Sequence, residues 1–301
     1  MENNLERKIN IKLEHLKKKQ KALKIIKQVV VYLLLTLWAL LVLFPFYWMI
    51  FVSFRNASEY GSEINHPLFS FNLTFDNYIK IWQTNDATMD LARFMLNTLV
   101  FATTTTAVML VVTILAAFAF ARLDFYGKNV VFTIFLAMMM IPNELVIITN
   151  YITVGAFNMY NTFAGLILPS ILSIFYIYLL RQNFMQVPDD MYYAAKVDGT
   201  SDFGYLTKVL LPLSKPTIIT IIILKFIECW NSYVWPRAIT DNENYFLVSM
   251  GIQSIRTSTY GDYGITLMMA AAFIMSLPLL IAFVIFRKQI MAGVSRTGTK
   301  G

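Results

Sequence analysis

The sequence predicts an all-α polytopic membrane protein with six transmembrane helices, on three observations. Hydrophobic residues fill 57% of 301 positions against 14% charged, with a mean hydropathy of +0.57, more apolar surface than a soluble core of this size can bury. Those residues gather in six runs near the length of about 20 that a membrane helix needs. The basic residues are concentrated in alternate connections, which sets orientation.

Residues 1–28 are expected to form a basic cytoplasmic arm, with nine Lys and Arg against three Glu before position 28. The first run, 29–52, is too long for a cleaved signal peptide and lacks a small-residue cleavage site, so it reads as a retained span. Further runs at 95–120, 130–151, 163–180, 217–236 and 266–286 complete a six-helix domain over 29–286, followed by a cytoplasmic tail at 287–301. With the N-terminus inside, 19 of the 25 Lys and Arg face the cytoplasm, five face outward, and Lys225 lies in a span. Both termini are therefore expected in the cytoplasm. The outer loop 55–94 carries Phe69, Phe71, Phe75, Tyr78 and Trp82, aromatics suited to seating it at the interface.

Composition narrows the chemistry. One cysteine, Cys229, excludes an internal disulfide and a Cys-rich metal site. His15 and His66 are the only histidines, so neither His-based catalysis nor a metal site is expected. A net charge of +7 would suit nucleic acid, but its distribution follows membrane topology, and the bilayer is the partner it implies. No G-x-x-x-x-G-K-[ST] loop occurs. The chain is expected to bind no cofactor and to be no enzyme itself. An ion-coupled transporter would ordinarily carry several intramembrane carboxylates, where here only Glu144 and Glu228 qualify.

The cytoplasmic loop 181–216 is far longer than neighbouring helices require. Pro188-Asp189-Asp190 reads as a helix start and Gly199 as a left-handed stop. Ser201-Asp202 opens a second, amphipathic run through Phe203, Leu206 and Leu210, ending near Pro212 and Pro216. Small residues Ala194, Ala195 and Gly199 would let another surface approach the backbone, with the exposed aromatics filling a groove in it. The same pattern suits a helix pair resting on lipid.

The segment Tyr193-Ala194-Ala195-Lys196-Val197-Asp198-Gly199, followed by Leu211-Pro212 and Pro216, resembles the "EAA" signature of permease subunits of binding-protein-dependent ABC importers. Asn97-Thr98, Ala116 to Arg122, Met140 to Glu144, Asn161-Thr162, Leu168-Pro169, Leu180 to Gln182, Trp230-Asn231 with Trp235-Pro236, and the closing 293–301 are similar to the carbohydrate, maltose-permease-like branch. The resemblance covers nearly everything from Leu43 onward. It implies the type I ABC importer fold and a permease working with a second homologous permease, two ATPases that use ATP and Mg, and an extracytoplasmic solute-binding protein. The cargo it implies is a sugar or oligosaccharide; a neighbouring subgroup carries glycerol-3-phosphate and related phosphodiesters. The coupling helix at 189–203 would dock on an ATPase through Tyr193, Ala194, Ala195, Asp198, Gly199 and Phe203. Tyr193 stands where the signature has Glu, so the salt bridge that Glu makes is not carried over.

Within the membrane, Pro142, Pro169 and Pro278 permit kinks, and Glu144 is expected to face protein or water in a structural role. Trp230, Asn231 and Tyr233 have the aromatic faces and amide that suit a sugar pathway, although Trp and Tyr also anchor helices at interfaces. Lys225 and Glu228 are three residues apart on one helix face, so they are expected to pair, lowering the cost of a cation in the span. In intact cells, a cysteine placed at Ser201 should resist an impermeant thiol reagent applied outside, and one at Thr74 should react; labelling at Ser201 would overturn the topology.

Overall fold

The computed structural model describes residues 2–62, 67–83, 90–257 and 264–298. It is 80% helical, with no strand among the described residues beyond an isolated bridge between Arg55 and Leu73. Helix α1 (Glu2–Ser53) joins the expected basic arm and first span in one 52-residue helix containing Pro45. Short helices α2 (Ala57–Ser62) and α3 (Asp76–Gln83) occupy the outer loop. Asp90 caps α4 (Leu91–Arg122) by accepting from the Arg93 N–H at 2.9 Å.

The continuous span expected at 130–151 is two helices, α5 (Lys128–Met138) and α6 (Asn143–Ala156). Residues 139–142 leave the helix ahead of Pro142, because a residue preceding proline is pushed out of the α region. Glu144 sits exposed in the first turn of α6, where the helix N-terminus favours a carboxylate. Next come α7 (Phe163–Ile167), its 3₁₀ extension Leu168–Ser170, and α8 (Ile174–Phe184), bent by 45°. The loop 181–216 folds as α9 (Asp189–Val197), α10 (Asp202–Tyr205), a wide turn Leu206–Leu210 and α11 (Leu211–Leu213). An 80° bend leads into α12 (Lys215–Trp230). Its helical course stops six residues short of the predicted end, and α13 (Val234–Ile239) follows. Finally α14 (Val248–Thr257) precedes α15 (Gly264–Gly298), which encloses Pro278. The tail is helical to Gly298, and positions 299–301 of it, like His66, lie outside the described residues.

Among the described residues, three helices are long and apolar enough to cross a membrane, or five if each bent pair is one crossing. The remaining predicted span is the pair α5 and α6, of 11 and 14 residues. Helix α4 is the central post, packed on α8, α12 and α14, while α15 packs on α1, α12 and α14. One apolar cluster around Phe94, Phe246, Leu267 and Ala271 joins α4, α14 and α15. Another, around Met109, Phe118, Leu180, Phe184, Tyr205 and Ile221, joins α4, α8 and α12 to the 181–216 loop.

Buried polar side chains hold the irregular segments. Asn97 donates to the carbonyls of Asn244 (2.8 Å) and Phe246 (3.0 Å), and Thr98 accepts from the Val248 N–H at 2.8 Å. Asn161, at φ 55°, accepts from the N–H groups of Asp241 and Asn242 at 2.8 and 2.9 Å. Asn97→Leu strands the buried Phe246 carbonyl, at a cost of about 1–3 kcal/mol, and removes the donor of the more open Asn244 carbonyl. A clear fall in the thermal midpoint in detergent is expected, with little change for Thr103→Val, whose exposed hydroxyl bonds within its own helix.

Candidate functional site

The candidate site is the exposed end of the bundle around α9. Pro188 sets the N-cap and Asp189 and Asp190 fill the first turn, where acidic groups offset the helix dipole. The helix closes when the N–H groups of Asp198, Gly199 and Thr200 turn back to Ala194, Lys196 and Ala195. Gly199 has φ +74°, a left-handed conformation that glycine adopts without strain. A Cβ there would meet nothing within 4 Å, so it is the turn that calls for glycine. Ser201 then caps α10 by accepting from the Gly204 N–H at 3.1 Å.

Helix α9 has two faces. Tyr192 and Ala195 pack inward on the cluster shared by α4, α8 and α12. Ala195 is half-buried, so its small side chain also serves the chain's own packing. Tyr193, Ala194, Asp198, Gly199 and Phe203 are exposed, and Val197 is 88% exposed. Tyr193, Ala194 and Val197 share one helical face. The Tyr192 hydroxyl donates to Asp202 at 2.6 Å, and the same carboxylate takes Lys196 at 2.7 Å. Burial, and then this hydrogen bond, push the Tyr192 phenol up to about 12, so it stays a donor at neutral pH. Its ring meets Tyr205 edge-on at 5.0 Å.

The sequence reading noted Arg122 only as part of a motif, but its guanidinium ties three elements together. Its side chain, at the end of α4, is 3% exposed. It donates to the carbonyls of Phe184 (2.7 Å), the last residue of α8, and Val187 (2.5 Å), in the link to α9, and pairs with Asp189 at the start of α9. Nearby, the Arg181 guanidinium lies over the Phe132 ring at 3.9 Å, bringing α5 to α8.

In the membrane, Lys225 donates to Glu228 at 2.8 Å, and Tyr176 donates to the other carboxylate oxygen at 3.2 Å. Trp230 is buried, donates to the Met275 carbonyl at 3.2 Å and stacks on Phe226. This corrects the pathway role expected of it: the indole faces α15 because its N–H needs a partner in an apolar setting. Asn231 is exposed, with its amide donating to Ile227, and Tyr233 is exposed ahead of α13. Among the described residues no His, Cys, Asp and Glu group could hold a metal.

Loss of Arg122 should loosen this end first. Arg122→Gln removes the donors of two carbonyls and the partner of Asp189, roughly 2–5 kcal/mol together. Faster limited proteolysis across 185–190 is expected, with an intermediate rate for Arg122→Lys; unchanged cleavage would refute the tie.

Residues 109–296 match the family of binding-protein-dependent transport system inner membrane components. The chain is 29% identical to the arabinooligosaccharides transport system permease AraQ of Bacillus subtilis, covering 87% of this chain and 92% of the relative. It is 28% identical to the trehalose/maltose transport system permease MalG of Thermococcus litoralis, covering 92% and 99%. A solved bacterial ABC transporter involved in import of the acidic polysaccharide alginate matches with a TM-score of 0.77 at 20% identity, over 87% of this chain and 96% of that one. The chain belongs to the family of binding-protein-dependent transport system inner membrane components.

Proposed function

We propose that this family member is the membrane-spanning permease subunit of an ATP-driven importer for a sugar or oligosaccharide. A solute-binding protein delivers the cargo from outside, a second homologous permease completes the pathway, and two ATPases supply the work with ATP and Mg. The sugar class is supported by the arabinooligosaccharide and trehalose/maltose permeases among its relatives. The chain lies in the cell membrane with both termini in the cytoplasm. Helices α5 and α6 then make the sixth crossing, since an odd number would part the termini and reverse the basic asymmetry.

One observation carries the coupling role: the outward face of α9 is apolar and unpaired, while its inward face is locked to three crossings. A groove on an ATPase would take Tyr193, Ala194, Val197 and Phe203. When the ATPases close, α9 is displaced, and the Arg122 tie moves the ends of α4 and α8 with it rather than letting the loop flex. Tyr193 presents an aromatic ring where the family signature has a carboxylate, so docking here rests on packing.

In proteoliposomes holding the whole complex, solute-loaded binding protein should raise ATP hydrolysis. Val197→Asp and Ala194→Trp, both directed off the chain, should abolish uptake while leaving the thermal midpoint of the isolated chain unchanged. Normal uptake by both would remove the coupling assignment. Uptake by the chain alone on an ion gradient would overturn the importer reading.

A further inference from the structure

Helix α12 turns Ile221, Ile223, Lys225, Cys229 and Trp230 into the chain and leaves Leu224, Glu228 and Asn231 exposed. Steps of four and three residues place those three on one helix face. Glu228 stands roughly 20 Å along α12 from Lys215, and Tyr176 roughly 12 Å along α8 from Phe184. Both therefore lie within a hydrocarbon layer about 30 Å thick. A carboxylate at that depth faces protein or water rather than lipid, yet the Glu228 side chain is 56% exposed on this chain. By contrast, the exposed surface of α1 from Val29 to Phe46 is apolar apart from single Tyr, Thr and Trp residues, as a lipid-facing helix requires.

The carboxylate is held from behind. Lys225, only 5% exposed, donates to one oxygen and Tyr176 to the other. An ionised carboxylate offers about four acceptor positions, so two donors leave capacity on the open side. Beside it the backbone is interrupted: residues 171–173 break the crossing just ahead of α8, and Ser173 provides no side-chain cap for the first turn. Interrupted backbone at membrane depth persists where it is buried in protein or lines water. Phe175, exposed, sits edge-on to Tyr176 at 5.3 Å.

We propose that the face of α8 and α12 carrying Phe175, Leu224 and Glu228 lines the aqueous passage, where Glu228 accepts hydrogen bonds from the hydroxyls of a neutral solute and repels anionic ones. This rests on the permease reading and narrows its cargo. A hydroxyl-rich solute brings the donors an acceptor-only group requires; a carboxylate or phosphate brings like charge instead. Lys225 makes the buried charge tolerable but is withdrawn from the passage, so the pair presents its negative end.

The test uses the assembled complex in membranes with Cys229→Ser as background. Leu224→Cys and Phe175→Cys should react with both the cationic trimethylammonium-ethyl and the anionic sulfonatoethyl methanethiosulfonates. Leu35→Cys on α1 should react only with lipophilic N-ethylmaleimide. At Leu224→Cys the cation-to-anion rate ratio should fall on the order of tenfold when Glu228→Gln is added. Should that variant fail to assemble, Lys225→Met with Glu228→Gln removes both charges without orphaning either, and a fall in the same direction is expected. Failure of both positions to react with the charged reagents, or an unchanged ratio at a reactive position, would overturn the proposal. Stimulation of ATP hydrolysis by loaded binding protein, measured on the unmodified complex, separates the two readings. Without stimulation the permease reading fails; with it, a negative labelling result removes only this inference.

Discussion

Hydrocarbon offers no hydrogen bonds, so every polar group at membrane depth must find its partner within protein or beside water. That constraint organises this molecule. Helix α4 stays unbroken for 32 residues and turns Asn97 and Thr98 toward the irregular return at 244–248, whose amides and carbonyls would otherwise be stranded. Asn161 does the same for 241–242 from a left-handed turn. Where the chain breaks its helices, at 139–142, 171–173 and 231–233, the breaks fall at short neighbours rather than in α4. The central post can thus serve as the common reference for α8, α12 and α14.

At the end that carries α9 the same accounting produces rigidity. Past the last turn of α8 the carbonyls run short of intrahelical donors; Arg122 serves those of Phe184 and Val187 while also engaging Asp189. Tyr192, Lys196 and Asp202 lock α9 to α10. Two short helices that could not be stable alone thereby become a stiff extension of three longer ones. What remains outside is an apolar face with no partner in the chain, a composition that favours association over solvation.

Legibility in the sequence follows the range of the interactions involved. The apolar runs, the start of α9 at Pro188 and its stop at Gly199 are local signals, and so is the Lys225–Glu228 pair, three residues apart. Asn97-Thr98 stood out as a pattern, but its purpose depends on backbone groups about 150 positions away, and backbone acceptors have no side-chain signature. Arg122 was hidden for the same reason: a cation closing an apolar run reads as a topology marker, and two of its three partners are carbonyls. Trp230 misled because an indole suits a sugar face, an interface belt and a helix seam alike; only the Met275 carbonyl decides among them. Ala195 has a packing role inside the chain that its sequence context does not display.

The partnership of α1 with α15 bears on how the protein is made. Among the described residues α1 is the first long helix and α15 the last, and they pack on one another, so this contact forms only after the ribosome has delivered α15. Until then α1 must persist in the bilayer without its neighbour. Its exposed, almost wholly apolar surface through residues 29–46 allows that, since lipid can satisfy it all round. Early insertion and late closure are thus divided between the two ends of the chain, and a ribosome stalled before α15 would leave an inserted but open intermediate, the species most exposed to membrane quality control.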